Sequence, residues 1–375
     1  MLLYVHIPFC RTKCAYCTFA SQEYTQEPAG AYLRLVQQEL KVRSRQAKSR
    51  KVSSIYIGGG TPTVLPITSL ARIVDAVHKN FDPEPGCEFT LEANPENILE
   101  MNNLQSFSSM GINRISLGIQ SLDDQLLGVL ERGHDSRQAI KAARTIRQAD
   151  FAGLSLDFIW GLPGQTLTGW LAELAHAVQL APDHLSCYGL GCEPGTRLTA
   201  RIQAGELEMP GERTQARMYI HGAEYLESCG FLQYEISNFA QMGYGCKHNL
   251  GYWAGEPFLG VGPSAVSTID DRRWKNPSAI RDYQALGEKG FSDLEFERLS
   301  HTLKVNELVM LSLRTSRGLN LKDYKTLRGE SFSRRYAGVI QALHQNNLIR
   351  MAPGYLRLTR NGMLVSDSIL EKFME

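Results

Sequence analysis

Three cysteines, Cys10, Cys14 and Cys17, stand as CxxxCxxC in the stretch HIPFCRTKCAYCTF. Thiolates are the ligands that iron-sulfur clusters and zinc prefer. The intervening Arg11, Thr12 and Lys13 are polar, which argues against small core hydrophobes as the role of these cysteines. A closed structural zinc site wants four protein ligands, usually in two separated pairs. The other cysteines, Cys87, Cys187, Cys192, Cys229 and Cys246, are scattered. Three thiolates on a four-iron cluster leave one iron open to a small molecule, so the pattern predicts a cluster with an exchangeable ligand.

Other groups able to bind a ligand fall where short apolar runs end. LLYVHIP leads into the cysteine loop and VSSIYIGGG into Gly58-Gly59-Gly60-Thr61-Pro62. EFTLEAN ends at Glu92-Ala93-Asn94, RISLGIQ at Gln120-Ser121, and GLSLDFIWGLP carries Asp157. Glycines without Cβ let a ligand approach the backbone closely, and their N–H groups can hold a carboxylate. A sixth run, HLSCYGLGC, completes the series. Rich in Val, Ile, Leu and aromatics, the runs read as strands buried on both faces of a parallel sheet.

Helical patterns separate them: Leu33, Val36 and Leu40 recur at i, i+3 and i+7, and Ala216, Tyr219, Ile220 and Ala223 at i, i+3, i+4 and i+7. Six βα units in series predict a partial (β/α)6 barrel over residues 1–240, with a doubly wound sheet as the alternative order. In either fold the carboxyl ends of the strands share one mouth, which would gather the groups above. Residues 241–295 begin Gly-rich and aromatic without a clear period, and read as a long functional loop and connection. Residues 296–375 turn helical and end with a hairpin at Pro353-Gly354 before Tyr355–Leu358, which predicts a winged-helix-like unit.

Composition narrows the partners. Lys+Arg number 40 against Asp+Glu 39, so no basic field favours nucleic acid or a membrane surface. The start, MLLYVHIPFC, lacks a basic n-region, and its apolar run breaks at His6 and Pro8. No stretch approaches the ~20 apolar residues of a spanning helix. The expectation is a cytoplasmic protein without an integral membrane segment, in a compartment where closely spaced cysteines are metal ligands more often than disulfides.

CxxxCxxC with the aromatic Tyr16 before its third cysteine resembles the radical S-adenosylmethionine enzymes. That resemblance implies a 4Fe-4S cluster on Cys10, Cys14 and Cys17 whose open iron chelates S-adenosylmethionine, cleaved to a 5′-deoxyadenosyl radical by one electron. It further implies that Gly59, Gly60 and Thr61 meet the methionine amino group. Glu92, Gln120, Arg132 and Asp157 would contact the methionine and ribose parts, with Tyr4 and Tyr16 bordering the cluster and adenine. A low-potential electron donor would serve the cluster.

YVHIPFC, IYIGGGTPT, LEANPE, GINRISLGIQS, LDFIWGLPGQT, YEISNFA, HNLGYW and LRLTRNGMLVSDSI run nearly end to end. Together they resemble the oxygen-independent coproporphyrinogen III oxidase group, most closely its haem chaperone branch. The oxidases carry a fourth cysteine two residues after the third, where this chain has Phe19, and an N-terminal extension where this chain starts on its first strand. Coproporphyrinogen oxidase activity is therefore not expected. HNLGYW resembles the branch's HNxxYW motif and implies haem bound at His248 and Tyr252, carried as cargo to an acceptor haemoprotein. Imidazole is a common axial ligand of haem iron, and Cys246 offers a further sulfur nearby. No residue stands out as a general acid or base. The alternatives are a tetrapyrrole-modifying radical enzyme and a non-enzymatic iron-sulfur interaction module.

Overall fold

The computed structural model describes residues 1–98, 101–292 and 294–374. Strands β1 (Leu2–Ile7), β2 (Lys51–Gly59), β3 (Asp82–Ala93), β4 (Arg114–Gln120), β5 (Gly153–Trp160) and β6 (His184–Gly189) pair in chain order, each parallel to the next. Helices α1 (Gln26–Gln46), α2 (Ile67–Asn80), α3 (Met101–Ser109), α4 (Ser136–Gln148) and α5 (Leu167–Gln179) connect them, and α6 (Glu212–Ser228) follows β6. An unbroken neighbour order is that of a barrel and not of a doubly wound sheet, whose order reverses. Helix α4 shows why such elements form. Ala139, Ala142, Ala143 and Ile146 bury one face at i, i+3, i+4 and i+7, and Asp135 with Gln138 closes a capping box.

The strands are not apolar on both faces. Leu3, Val5, Ile55, Ile57, Leu91, Ile115, Leu117, Leu154 and Leu156 point outward into the main core beneath the helices. The alternate residues line the inside, and the register stacks them: Tyr4 beside Tyr56, Tyr56 beside Thr90, Glu92 beside Ser116, and Asp157 beside Ser186. A polar barrel interior is thus written at every second position, hidden among the bulky residues that suggested burial on both faces.

Residues 241–295, read as loop, are mostly regular. They contain α7 (Lys247–Trp253), strands β8 (Phe258–Val261), β9 (Val266–Ile269) and β10 (Arg272–Lys275), and α8 (Ile280–Glu288). Strand β8 adds to the open edge of β1 in parallel, while β7 (Asn238–Ala240) adds to β6 antiparallel. The result is one open twelve-stranded sheet. Gly260 obscured the strand pattern: a Cβ there would lie 2.3 Å from the Val266 carbonyl oxygen, so close strand contact demands glycine. The extension is tied to α1 through fully buried Glu39, whose carboxylate accepts from Tyr283 Oη (2.6 Å), Asn276 Nδ2 (2.9 Å) and Gly262 N (2.9 Å).

The chain ends in a smaller unit with its own core. Helix α9 (His301–Leu313) packs Val305, Val309 and Leu313 with Tyr324, Phe332, Leu356 and Phe373. The hairpin forms as expected from Ile349–Ala352 and Tyr355–Leu358, and Leu319–Asn320 completes a three-stranded sheet. Tyr219 of α6 joins this second core, and Arg360 Nη2 reaches Glu227 Oε2 at 2.5 Å, which fixes the unit to the barrel.

Candidate metal and cofactor centre

The cysteine loop leaves β1 at the barrel mouth and is held from several sides. Ala15 N donates to Leu130 O (3.1 Å), Leu198 N to Ala15 O (2.9 Å), and Arg197 Nη2 to Lys13 O (2.6 Å). Cys10, Cys14 and Cys17 are free thiols, each partly exposed. They line a cavity of about 450 Å3 together with Tyr16, Gly59, Gly60, Thr61, Glu92, Gln120, Arg132 and Asp157. The strand ends therefore do converge, across a sequence span from Cys10 to Asp157.

A hydrogen-bonded chain runs around the cavity from one cysteine to another. Arg132 donates from Nη1 to Cys14 Sγ (3.3 Å) and from Nη2 to Asn94 Oδ1 and Gly118 O (both 2.8 Å). Asn94 Nδ2 donates to Thr61 Oγ1 (3.0 Å), which in turn donates to Cys10 Sγ (3.7 Å). The glycines form a close-fitting floor. A Cβ on Gly60 would stand 2.5 Å from Phe9 O and 3.0 Å from Cys10 Sγ, and one on Gly59, at φ +111°, 2.5 Å from His6 Nδ1. Gln120 also takes a left-handed backbone, φ 69°, at a β4 irregularity next to Gly118. Strain of this sort at a strand end is typical of positions that aim a side chain at a ligand.

The carboxylates are oriented from behind. Glu92 accepts from Tyr56 Oη and Gly59 N, both at 2.9 Å, and Asp157 accepts from Ser116 Oγ (2.8 Å) and Ser155 Oγ (2.9 Å). Burial raises the Glu92 pKa to about 7, partly offset by its two donors and reinforced by Asp157. Burial also raises the Cys10 and Cys17 thiols.

This donor set fits a polynuclear cluster better than a single ion. All three donors are free thiols on the wall of one cavity, with no histidine or fourth cysteine among the described residues lining it. A cubane holds its thiolates apart on separate irons. The Arg132 contact supplies the charge-assisted hydrogen bond to sulfur that such clusters use.

Tyr4 does not line this cavity. It points inward a layer below the mouth, where its hydroxyl donates to His6 Nδ1 (3.0 Å), and it lines a neighbouring space with Tyr252. His248 is also placed otherwise than expected. It is 1% exposed, with Nδ1 2.8 Å from Ser54 Oγ and Nε2 3.1 Å from Tyr252 Oη. Burial, then the nearby Arg114 charge, lowers its pKa to about 3. With both nitrogens engaged, His248 has none free for haem iron in this arrangement. Glu88 explains the burial: its carboxylate accepts from the Lys247 (3.0 Å) and His248 (3.1 Å) backbone N–H and from Cys246 Sγ (3.3 Å), drawing α7 into the barrel. Cys246 is fully buried there, with its sulfur turned to Glu88. Sequence reasoning missed Tyr56, Ser116, Ser155 and Glu88. Their signal was the period-two placement of polar residues along β2–β5.

A partial barrel with thiols, glycines and carboxylates at one mouth defines a radical S-adenosylmethionine protein. Residues 4–175 match the Radical SAM superfamily profile, and residues 299–365 match the HemN C-terminal domain profile. The chain is 32% identical over 373 residues to "Heme chaperone HemW" of Bacillus subtilis, covering 99% of this chain and 98% of the relative. The Synechocystis protein of the same name is 36% identical, over 84% of this chain and 78% of that one. The structure superposes on Escherichia coli coproporphyrinogen III oxidase HemN with a TM-score of 0.84 at 24% identity, covering 99% of this chain and 89% of that one. The chain belongs to the HemW family. Radical S-adenosylmethionine membership implies a 4Fe-4S cluster and S-adenosylmethionine. No helix among the described residues is long and apolar enough to cross a membrane.

Proposed function

We propose that this chain is a haem chaperone. It holds a 4Fe-4S cluster on Cys10, Cys14 and Cys17 and an exchangeable S-adenosylmethionine in the adjoining cavity, and it passes haem to an acceptor haemoprotein in the cytoplasm. The observation that carries the cofactor assignment is the closure of Cys10, Thr61, Asn94, Arg132 and Cys14 around one cavity. Haem as cargo is supported by the names of the HemW relatives. When bound, the cluster supplies a single electron, delivered to it by a low-potential donor. The residues of the chain position the cofactor: the glycine floor gives backbone access, Glu92 and Asp157 present oriented acceptors, and Arg132 brings positive charge. Phe19 stands at the rim, 62% exposed, where a fourth cysteine would lie in an oxidase.

Anaerobic reconstitution tests this reading. About four irons per chain are expected, with S-adenosylmethionine binding that is lost together with the iron in Cys14→Ala. Ferric haem should bind the intact protein, and coproporphyrinogen III should remain unconverted. Conversion to protoporphyrinogen would overturn the chaperone reading in favour of an oxidase.

A further inference from the structure

One layer below the mouth, the barrel interior holds polar groups that do not line the cofactor cavity. Ser155 and His184 face each other there across β5 and β6, and both are shut off from solvent. His184 Nδ1 stands 2.8 Å from Ser155 Oγ, and its Nε2 stands 2.8 Å from Tyr234 Oη. Ser155 Oγ in turn donates to Asp157 Oδ1 (2.9 Å), with Ser186 Oγ further off at 3.5 Å. Four side chains thus form one line between two spaces. Asp157 lines the cofactor cavity at one end, and Tyr234 lines a cleft of about 910 Å3 against the C-terminal unit at the other.

The count of protons fixes the direction of the chain. The Ser155 hydroxyl has one hydrogen and Asp157 takes it, so Ser155 accepts from the Nδ1–H of His184. Burial, then the Arg114 charge, holds the pKa of His184 well below the usual histidine value, so the ring is neutral and its Nε2 is an acceptor. Burial also raises the Tyr234 phenol, which keeps the proton that Nε2 receives. Each link therefore donates toward the mouth, and a buried chain with its donors and acceptors paired orders the group at its end. Asp157 Oδ2 accepts from Ser116 Oγ (2.8 Å), so the carboxylate is held from behind on both oxygens.

The far end is fixed by the C-terminal unit. Ser316 N donates to Tyr234 O and Ile236 N to Arg314 O, both at 3.0 Å, and Glu235 pairs with Thr315 between them. We infer that His184 and Tyr234 are positioning residues for S-adenosylmethionine, acting through Ser155 on the Asp157 carboxylate, and that the C-terminal unit sets this chain by fixing Tyr234. The inference rests on the cofactor reading above.

The test is the S-adenosylmethionine affinity of the reconstituted full-length protein, measured by equilibrium dialysis as a double-mutant cycle. Ser155→Ala removes the donor to Asp157, and His184→Leu removes the donor to Ser155. Each is expected to weaken binding about tenfold. The double variant should also lose about tenfold and no more, because the two side chains act through one contact. His184→Asn places an amide N–H where Nδ1–H stands, and should recover affinity to within about threefold of wild type. Tyr234→Phe should cost about threefold alone and nothing further in the Ser155→Ala background. Tyr355→Phe, in the same cleft, should stay within about twofold. Nitrogen NMR of the histidine-labelled protein should show His184 as the Nδ1–H tautomer, which packing alone does not require. Iron content and melting temperature report folding; where His184→Leu does not fold, the cycle of Tyr234→Phe with Ser155→Ala decides. Losses that add in the double variants, His184→Asn no better than His184→Leu, or an Nε2–H tautomer would overturn the inference while leaving the cofactor reading intact. A wild type that binds no S-adenosylmethionine sinks both.

Discussion

Glu92 is the residue whose chemistry the structure specifies most fully. It is held by Tyr56 Oη and Gly59 N, and its pKa rises from 4.5 to about 7, chiefly through burial. A raised carboxyl pKa means that the folded state binds the proton more tightly than the unfolded chain. Its stabilising effect is therefore complete below pH ~4.5 and is lost as pH rises through ~7. At 1.36 kcal/mol per unit the loss is at most about 3 kcal/mol, reduced because the carboxylate faces a cavity that water enters. Glu92→Gln keeps the shape and removes the charge. Melting temperatures of the two proteins should coincide near pH 5, and the variant should melt several degrees higher at pH 8, as ~2–4 °C per kcal/mol implies. S-adenosylmethionine, a cation at sulfur and at its amino group, should reverse the preference. Wild-type affinity should climb between pH 6 and 8 as Glu92 ionises, while that of Glu92→Gln stays flat. Parallel melting profiles across the range, or identical pH profiles of cofactor binding, would refute the reasoning.

Gly59→Ala should abolish cofactor binding, because its Cβ would overlap His6 Nδ1 at 2.5 Å on a backbone at φ +111°; equilibrium dialysis with S-adenosylmethionine reads the loss. Glu39→Ala strips the acceptor from Tyr283, Asn276 and Gly262 N and leaves Arg43 without its carboxylate. A cost of about 3–5 kcal/mol is expected, seen in denaturant unfolding and as new proteolytic cleavage between residues 262 and 283. Arg132→Lys keeps the charge but loses the fork that spans Cys14, Asn94 and Gly118. Its reconstituted cluster should bleach faster in air than that of the wild type, by absorbance, since a lysine cannot make those bonds together.

The residues gathered at the mouth were largely legible because their signals are local: cysteine spacing, a glycine run and carboxylates at strand ends are each contained in a few consecutive residues. What surrounds them was not. Glu39 and Asn276 are 237 positions apart, and Ser54 and His248 are 194 apart, so neither pairing leaves a mark on its neighbourhood in the sequence. The period-two polar pattern of the strands was present but masked, since Tyr4, Tyr56 and Thr90 are as β-prone as the apolar residues between them. His248 shows the limit most clearly. A motif brings a histidine to the right helix, but Glu88 and Ser54, from a different part of the chain, decide that its ring turns inward.

Transfer of haem is the most direct test of the central claim. The full-length protein, loaded with one equivalent of haem, is mixed with an apo-haemoprotein acceptor, and the absorbance spectra of donor and acceptor are followed with time. The account predicts that the donor spectrum decays as that of the holo-acceptor grows, faster than with free haem at the same concentration. Haem that stays on the donor, or that reaches the acceptor no faster than from solution, would contradict it.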